Sequence, residues 1–238
     1  MIPGAFNIVS LTDWHVPYHD PQAINAALGF VGKIQPQVLI IHEVHDFYAL
    51  SRFDKDPARI NSLQNEIDQV TAYFTILRNT CPAARIILLK SNHLARLKKY
   101  LWKNAPALAS LRALQIEGLL ELEKHRIEYM DDFTHQGFLF KHGSIVRAGS
   151  GMTARAELTK EGVSGASGHT HRLAQIYRRI RGGAFTWIES GCLCKLDPDY
   201  LEGTADWQQG FSWVSFASPQ RKTYWATAVP IIDYEVPL

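Results

Sequence analysis

Five short clusters in this sequence combine side chains able to hold a metal ion or move a proton, and each follows a stretch that reads as a β-strand. The first is Asp13-Trp14-His15, where a carboxylate and an imidazole two residues apart point the same way in extended backbone and can share one target. The second is His42-Glu43-Val44-His45-Asp46, at the end of the apolar run VLII. Asn92-His93 stands three residues past RIILL, and His142-Gly143 ends FLFK. Gly168-His169-Thr170-His171 again offers two imidazoles at a spacing of two. Open α/β sheets place their ligand sites at such strand ends. A single histidine is most often a surface or hydrogen-bonded core residue. Five clusters at five strand ends would be a poor way to decorate a core, because buried charge is costly unless it is paired or coordinating. The set points to a metal site built mainly from nitrogen and oxygen ligands.

The elements that must position these clusters are written in the hydrophobic pattern. Residues Phe6–Leu11, Val38–Ile41 and Arg85–Leu89 read as short buried strands. Between them, Pro21–Lys33 and Ile60–Leu77 repeat apolar residues at helical intervals. Strand, helix, strand, helix, strand at this spacing implies right-handed crossovers and a largely parallel sheet. Residues 95–122 read as helical throughout, with Pro106 marking a new start and Arg96, Lys98, Lys99 and Lys103 making its first part basic. From Ile127 the pattern turns to short strands, FLFKH and SIVRA, then a helix around Thr153–Lys160. Four further strands follow in AQIYRRI, GGAFTWIES, FSWVSFAS and KTYWATAVPII. With no repeat and no linker, residues 1–238 read as a single α/β domain of two packed sheets flanked by helices.

Composition narrows the classes. At 238 residues, 46% hydrophobic and 11% aromatic, the chain has ample material for a core and is neither disordered nor collagen-like. A net charge of +2 does not by itself argue for a nucleic-acid binder. Ten histidines stand beside three cysteines, too few for a disulfide framework, and Cys192 and Cys194 are too close for an ordinary bridge. They read as buried thiols in a reducing compartment, the cytoplasm. The opening MIPGAFNIVSLTDWH lacks the basic leader and longer apolar segment of a signal peptide, and no apolar stretch is long enough to cross a bilayer.

The order of the clusters resembles the calcineurin-like metallophosphoesterase family, whose pattern runs D-x-H, G-D-x-x-D, G-N-H-D/E, H and G-H-x-H. Asp13 and His15 match the first block, Asn92 and His93 the core of the third, His142 the fourth, and Gly168-His169-Thr170-His171 the fifth in full. Two blocks depart. His42-Glu43 stands where the family has Gly-Asp, and Ser91 and Leu94 flank Asn92-His93 where the family has glycine and a carboxylate. The wording DFYALSRFDKDP and ESGCLCKLDPDY looks like phosphoesterases often encoded by phages and prophages.

The resemblance implies a two-sheet αββα sandwich holding two divalent ions, with Mn, Fe, Zn or Ni all compatible. It places one ion on Asp13, His15, Glu43 and His171, and the other on Glu43, Asn92, His142 and His169. It implies hydrolysis of a phosphoester, a phosphodiester before a monoester, by a metal-bridging hydroxide, with His93 protonating the leaving oxygen or stabilising charge. Arg52 and Arg96, just after the site blocks, either reach a substrate phosphate or are solvated surface arginines. His42 and His45 are extra potential ligands. A catalytically impaired relative is the rival reading. A nuclease is a third, with Arg178, Arg179, Arg181, Lys98, Lys99 and Lys103 as a basic rim or, alternatively, as charge guarding a strand edge. No membrane partner is expected, and the sequence does not set the oligomeric state.

Overall fold

A computed structural model describes residues 4–57, 62–198 and 203–237. The first half winds as the hydrophobic pattern requires. β1 (Phe6–Thr12), β2 (Val38–His42) and β3 (Arg85–Leu89) are parallel neighbours, joined by α1 (Pro21–Ile34) and α2 (Leu63–Thr80). Ile60, assigned to the second helix by its spacing, lies outside the described residues, as does the end of ESGCLCKLDPDY from residue 199. α1 starts where Pro21 sets the first helical residue and the Asp20 carboxylate accepts hydrogen bonds from the amides of Gln22 and Ala23.

α3 (Leu94–Asn104) follows β3, but the helical reading of residues 95–122 holds only to its end. Extended backbone at Leu111 and Gln115 breaks the remainder into two 3-10 turns and the four-residue α4 (Ile116–Leu119). β4 (Ile127–Met130) then adds to the far side of β3. With β10 (Gly210–Phe216) and β11 (Tyr224–Pro230) the first sheet runs β11-β10-β1-β2-β3-β4.

The second sheet contains β5 (Asp132–His135), β6 (Phe138–Lys141), β7 (Ser164–Ser167), β8 (Leu173–Ile180) and β9 (Gly183–Ser190), in the order β5-β6-β7-β9-β8. Between β6 and β7 comes α5 (Met152–Glu161), but SIVRA, residues 144–148, forms no strand. Gly143 at φ +94° turns the chain away at the end of β6, and Val146 is left 55% exposed with no neighbouring strand.

Two-residue alternation sorts each strand's side chains into layers. Val9, Leu11, Leu39, Ile41, Ile86 and Leu88 face α1 and α2. Ile8, Ile40, Ile87 and Leu89 face the other way and meet Phe138, Phe140, Ala166 and Ile188 between the sheets. Trp187 points out of the second sheet onto Ala154 and Leu158 of α5. The fold is therefore helix, sheet, sheet, helix. Since β1, β2 and β3 are parallel, and β6, β7 and β9 likewise, the carboxyl ends of strands from both sheets bring their loops to one edge. No helix among the described residues is long and apolar enough to cross a membrane.

Candidate metal centre

Each of the five clusters leaves the end of a parallel strand: Asp13 after β1, Glu43 after β2, Asn92 after β3, His142 after β6 and His169 after β7. Distance sorts the implied ligands into two groups, each with donor atoms mutually within 4.8 Å: Asp13, His15 and His171, then Glu43, His142 and His169. Asn92 joins the second, its Oδ1 lying 2.8 Å from His142 Nε2. Glu43 falls in the second group alone. Its Oε2 abuts His142 Nε2 and its Oε1 lies 3.2 Å from His93 Nε2.

The backbone is shaped for these contacts. Asp13, His15 and Glu43 sit at φ 53°, His171 at 59° and His169 at 75°, the left-handed region that non-glycine residues rarely enter. Such residues cost on the order of 1–3 kcal/mol each and persist only where surrounding structure fixes them. Here the amides of Trp14 and His15 donate to the Glu43 carbonyl, and the His169 amide donates to the Asp13 carboxylate at 2.9 Å. Gly168 is required by space. A Cβ there would fall on Thr12 Oγ1 and Asp13 Oδ2 and lie 2.8 Å from His42 Cε1.

Donor atoms crowd as they do around a cation. His15 Nε2 and His171 Nε2 are 2.9 Å apart, and they lie 3.8 and 3.6 Å from Asp13 Oδ1. Glu43 Oε2 is fully buried, with the His142 imidazole against it. Burial pushes the His171 imidazole down to about 4 and lowers His169, keeping both neutral with lone pairs to give. Burial opposes ionisation of Asp13 and Glu43. The imidazoles that keep their charge outweigh it: His15 and His142 hold Asp13 well below the usual carboxylate range, and His142 does so for Glu43. Buried carboxylates and imidazoles, with half-buried His169 and the exposed Asn92 amide, fit a hard-to-borderline divalent ion.

Asp46, in the second cluster but outside the implied ligand set, ties the centre together. Its Oδ2 lies 3.1 Å from His15 Nδ1 and 3.5 Å from His93 Nδ1. Its Oδ1 and its carbonyl accept from Arg96 Nη1 at 2.9 and 2.6 Å. The second Nη of Arg96 donates to His93 Nε2 at 2.8 Å, so its guanidinium is committed to this network. The signal was the second aspartate of the altered G-D-x-x-D block.

His42 and His45 have different places. His42 ends β2 beneath the second group, with Nδ1 2.9 Å from Thr12 Oγ1 and 3.1 Å from His142 Nδ1. His45 is fully buried against Phe47, outside both ligand groups, and both its ring nitrogens lack hydrogen-bond partners among the described residues. Ser91 Oγ accepts from the Leu94 amide at 3.3 Å just ahead of α3, while the Leu94 side chain is buried in the core. Cys192 and Cys194 are free, buried thiols, and Cys194 Sγ lies 3.9 Å from His171 Nδ1. Trp207 closes over His171, ring centroids 4.2 Å apart.

Beside the centre opens a cleft of ≈ 620 Å³ between residues 50–53 and α3, and Asn92 lines it. Arg52, exposed, stands on its wall with Arg96, Lys99 and Lys103. The basic rim expected from the sequence is thus divided. Lys99 and Lys103 face the cleft, whereas Arg178 lies on β8, the edge of the second sheet, bound to Thr159 Oγ1 at 2.7 Å.

No known family profile matches the chain. It is similar to the Gene 54 protein of Mycobacterium phage D29, 28% identical over 220 residues covering 86% of both chains. The Gene 54 protein of Mycobacterium phage L5 is 27% identical over 221 residues, 86% of this chain and 87% of that one. Similar solved structures include Vps29 from Entamoeba histolytica complexed with Zn2+, at 13% identity and TM-score 0.45 over 97% of this chain and 96% of that one. Vacuolar Protein Sorting 29 from Cryptosporidium parvum gives 11% identity and TM-score 0.48 over 98% and 94%. Likeness of this depth bears on no residue's role.

Proposed function

We propose that this chain is a metal-dependent phosphoesterase of the calcineurin-like superfamily, acting on a phosphodiester in the cytoplasm of a phage-infected or lysogenic bacterium. The observation that carries this reading is the pair of ligand groups, Asp13–His15–His171 and Glu43–His142–His169, each drawn from both sheets, with Asn92 standing between the second group and an open cleft. Two divalent ions held there would polarise phosphoryl oxygens and bring the pKa of a bound water toward neutrality. Asp13, His15 and His171 would hold one ion, and Glu43, Asn92, His142 and His169 the other.

Around them the chain's own groups divide the work. Asp46 orients His15 and His93, and Arg96 holds Asp46 in turn. His93 Nε2 accepts from Arg96, so to protonate a leaving oxygen it must release that hydrogen bond and take up a proton. Arg52 is placed on the cleft wall to meet a phosphate oxygen. The cleft leaves room for a second substituent on phosphorus, which favours a diester over a monoester.

Glu43, Ser91 and Leu94 favour a second reading, a relative that binds metal or phosphate without turnover. Against it, Ser91 Oγ accepts from the Leu94 amide in the turn that carries His93, and Asp46 supplies beside His93 the carboxylate that Leu94 lacks. The test is to count metals per chain and assay an aryl phosphodiester and an aryl phosphomonoester with added Mn. Turnover of the diester supports the enzyme. A full metal complement with no turnover of either substrate overturns it in favour of the binding protein.

A further inference from the structure

The cleft beside the centre has a composition of its own. Arg52, Lys99 and Lys103 line it, and no carboxylate does so among the described residues. Lys99 and Lys103 are one turn apart on α3, facing the same way with a rise of about 6 Å. Two aromatic rings, Phe53 and Tyr100, stand on opposite walls and are 59% and 44% exposed. The Arg52 guanidinium lies over the Phe53 ring, 5.5 Å from its centroid. Exposed rings interleaved with cations are the means by which a groove holds unpaired bases and their backbone together. A volume of ≈ 620 Å³ suits one or two nucleotides.

We infer that this cleft binds a single-stranded nucleic acid, with Phe53 and Tyr100 stacking bases and Arg52, Lys99 and Lys103 meeting the phosphates that flank the one at Asn92. This names the substrate class of the proposed phosphodiesterase and rests on that reading for cleavage, though not for binding. Binding is therefore measured separately, by fluorescence anisotropy of a labelled deoxythymidine oligomer with the full chain in chelator, where no hydrolysis occurs.

Three cations on a single strand give a log–log salt slope of about −2, at 0.7 for each. Lys99→Gln with Lys103→Gln should reduce the slope to about −0.7, and Phe53→Ala or Tyr100→Ala should weaken binding about 5- to 150-fold with the slope unchanged. Circular dichroism checks the fold of each variant, and the wild-type slope stands as a test by itself. No oligomer binding at low salt overturns the inference. So does equal affinity for duplex, or affinity matched by inorganic polyphosphate and insensitive to both aromatic substitutions. Binding without cleavage after metal is restored would leave this inference standing and refute the phosphodiesterase.

Discussion

Gly168→Ala tests the packing of the centre without replacing a ligand. The added methyl group would overlap Thr12 Oγ1 and Asp13 Oδ2 and come within 2.8 Å of His42 Cε1. None of the three can retreat into solvent, because Thr12 and Asp13 are fully buried and His42 is 1% exposed. Overpacking of a rigid interior costs about 1–3 kcal/mol. Moving Thr12 aside also strains its hydrogen bonds to Asp13 at 2.5 Å and to His42 at 2.9 Å, each worth about 1 kcal/mol. The expected loss is therefore about 2–5 kcal/mol, or roughly 5–15 °C in melting temperature for a domain of this size. Displacing Asp13 should also weaken metal binding about 10- to 100-fold, the effect of disturbing a ligand's support.

Gly29→Ala is the matched control. It lies in α1 with nothing within 4 Å of the added carbon and should gain about 0.5–1 kcal/mol. Urea denaturation of the metal-free proteins and calorimetric titration with Mn read both quantities. If Gly168→Ala kept wild-type stability and wild-type metal affinity, the close approach of the Gly168 loop to Asp13 would be refuted.

Four further outcomes follow from individual groups. Asp46→Asn should lower diester turnover at least tenfold while metal content stays unchanged, because Asp46 touches His15, His93 and Arg96 and lies outside both proposed ligand sets; loss of metal would make it a ligand instead. Glu43→Asp should raise turnover if the extra methylene limits the centre, and an unaltered rate would clear Glu43. His45→Phe should be neutral or stabilising by about 1 kcal/mol, since it removes two buried nitrogens that lack hydrogen-bond partners among the described residues; a clear destabilisation would reveal a partner. Burial pushes the Glu66 carboxyl up from 4.5 to about 8. Its contribution is thus fully present below pH 4.5 and is lost as pH rises through about 8, so Glu66→Gln should flatten the fall in stability across that window. Parallel pH curves for the two proteins would contradict this.

The parallel strands were legible because strands covered on both faces need continuous apolar runs, as in VLII and RIILL. That also made the site legible, because parallel strands deliver the residues after them to one edge. SIVRA misled because its apolar residues resemble a strand, while pairing depends on a neighbour that the turn at Gly143 removes. Residues 106–122 misled because leucines spaced for a helix sit in turns, with Leu108 and Leu111 nearly half exposed. Asp46 and Arg96 illustrate a different limit. Spacing places a charged residue near a site, but only the fold decides whether its charge is spent on a neighbour or left for a ligand.

The two ligand groups have a consequence for how the protein is made. His171 completes a group begun by Asp13, and His142 and His169 complete one begun by Glu43. No group lies within one segment of chain, so a nascent chain that has delivered only its first half holds at most the beginnings of either. Ordering of the β1 and β2 loops must wait for β6 and β7 to close the second sheet over them. An ion bound there would then be chosen by a finished fold, from whatever metals the cell offers at that moment, rather than by the ribosome-bound chain. Expression of one gene under different metal supply should yield one structure carrying different ions.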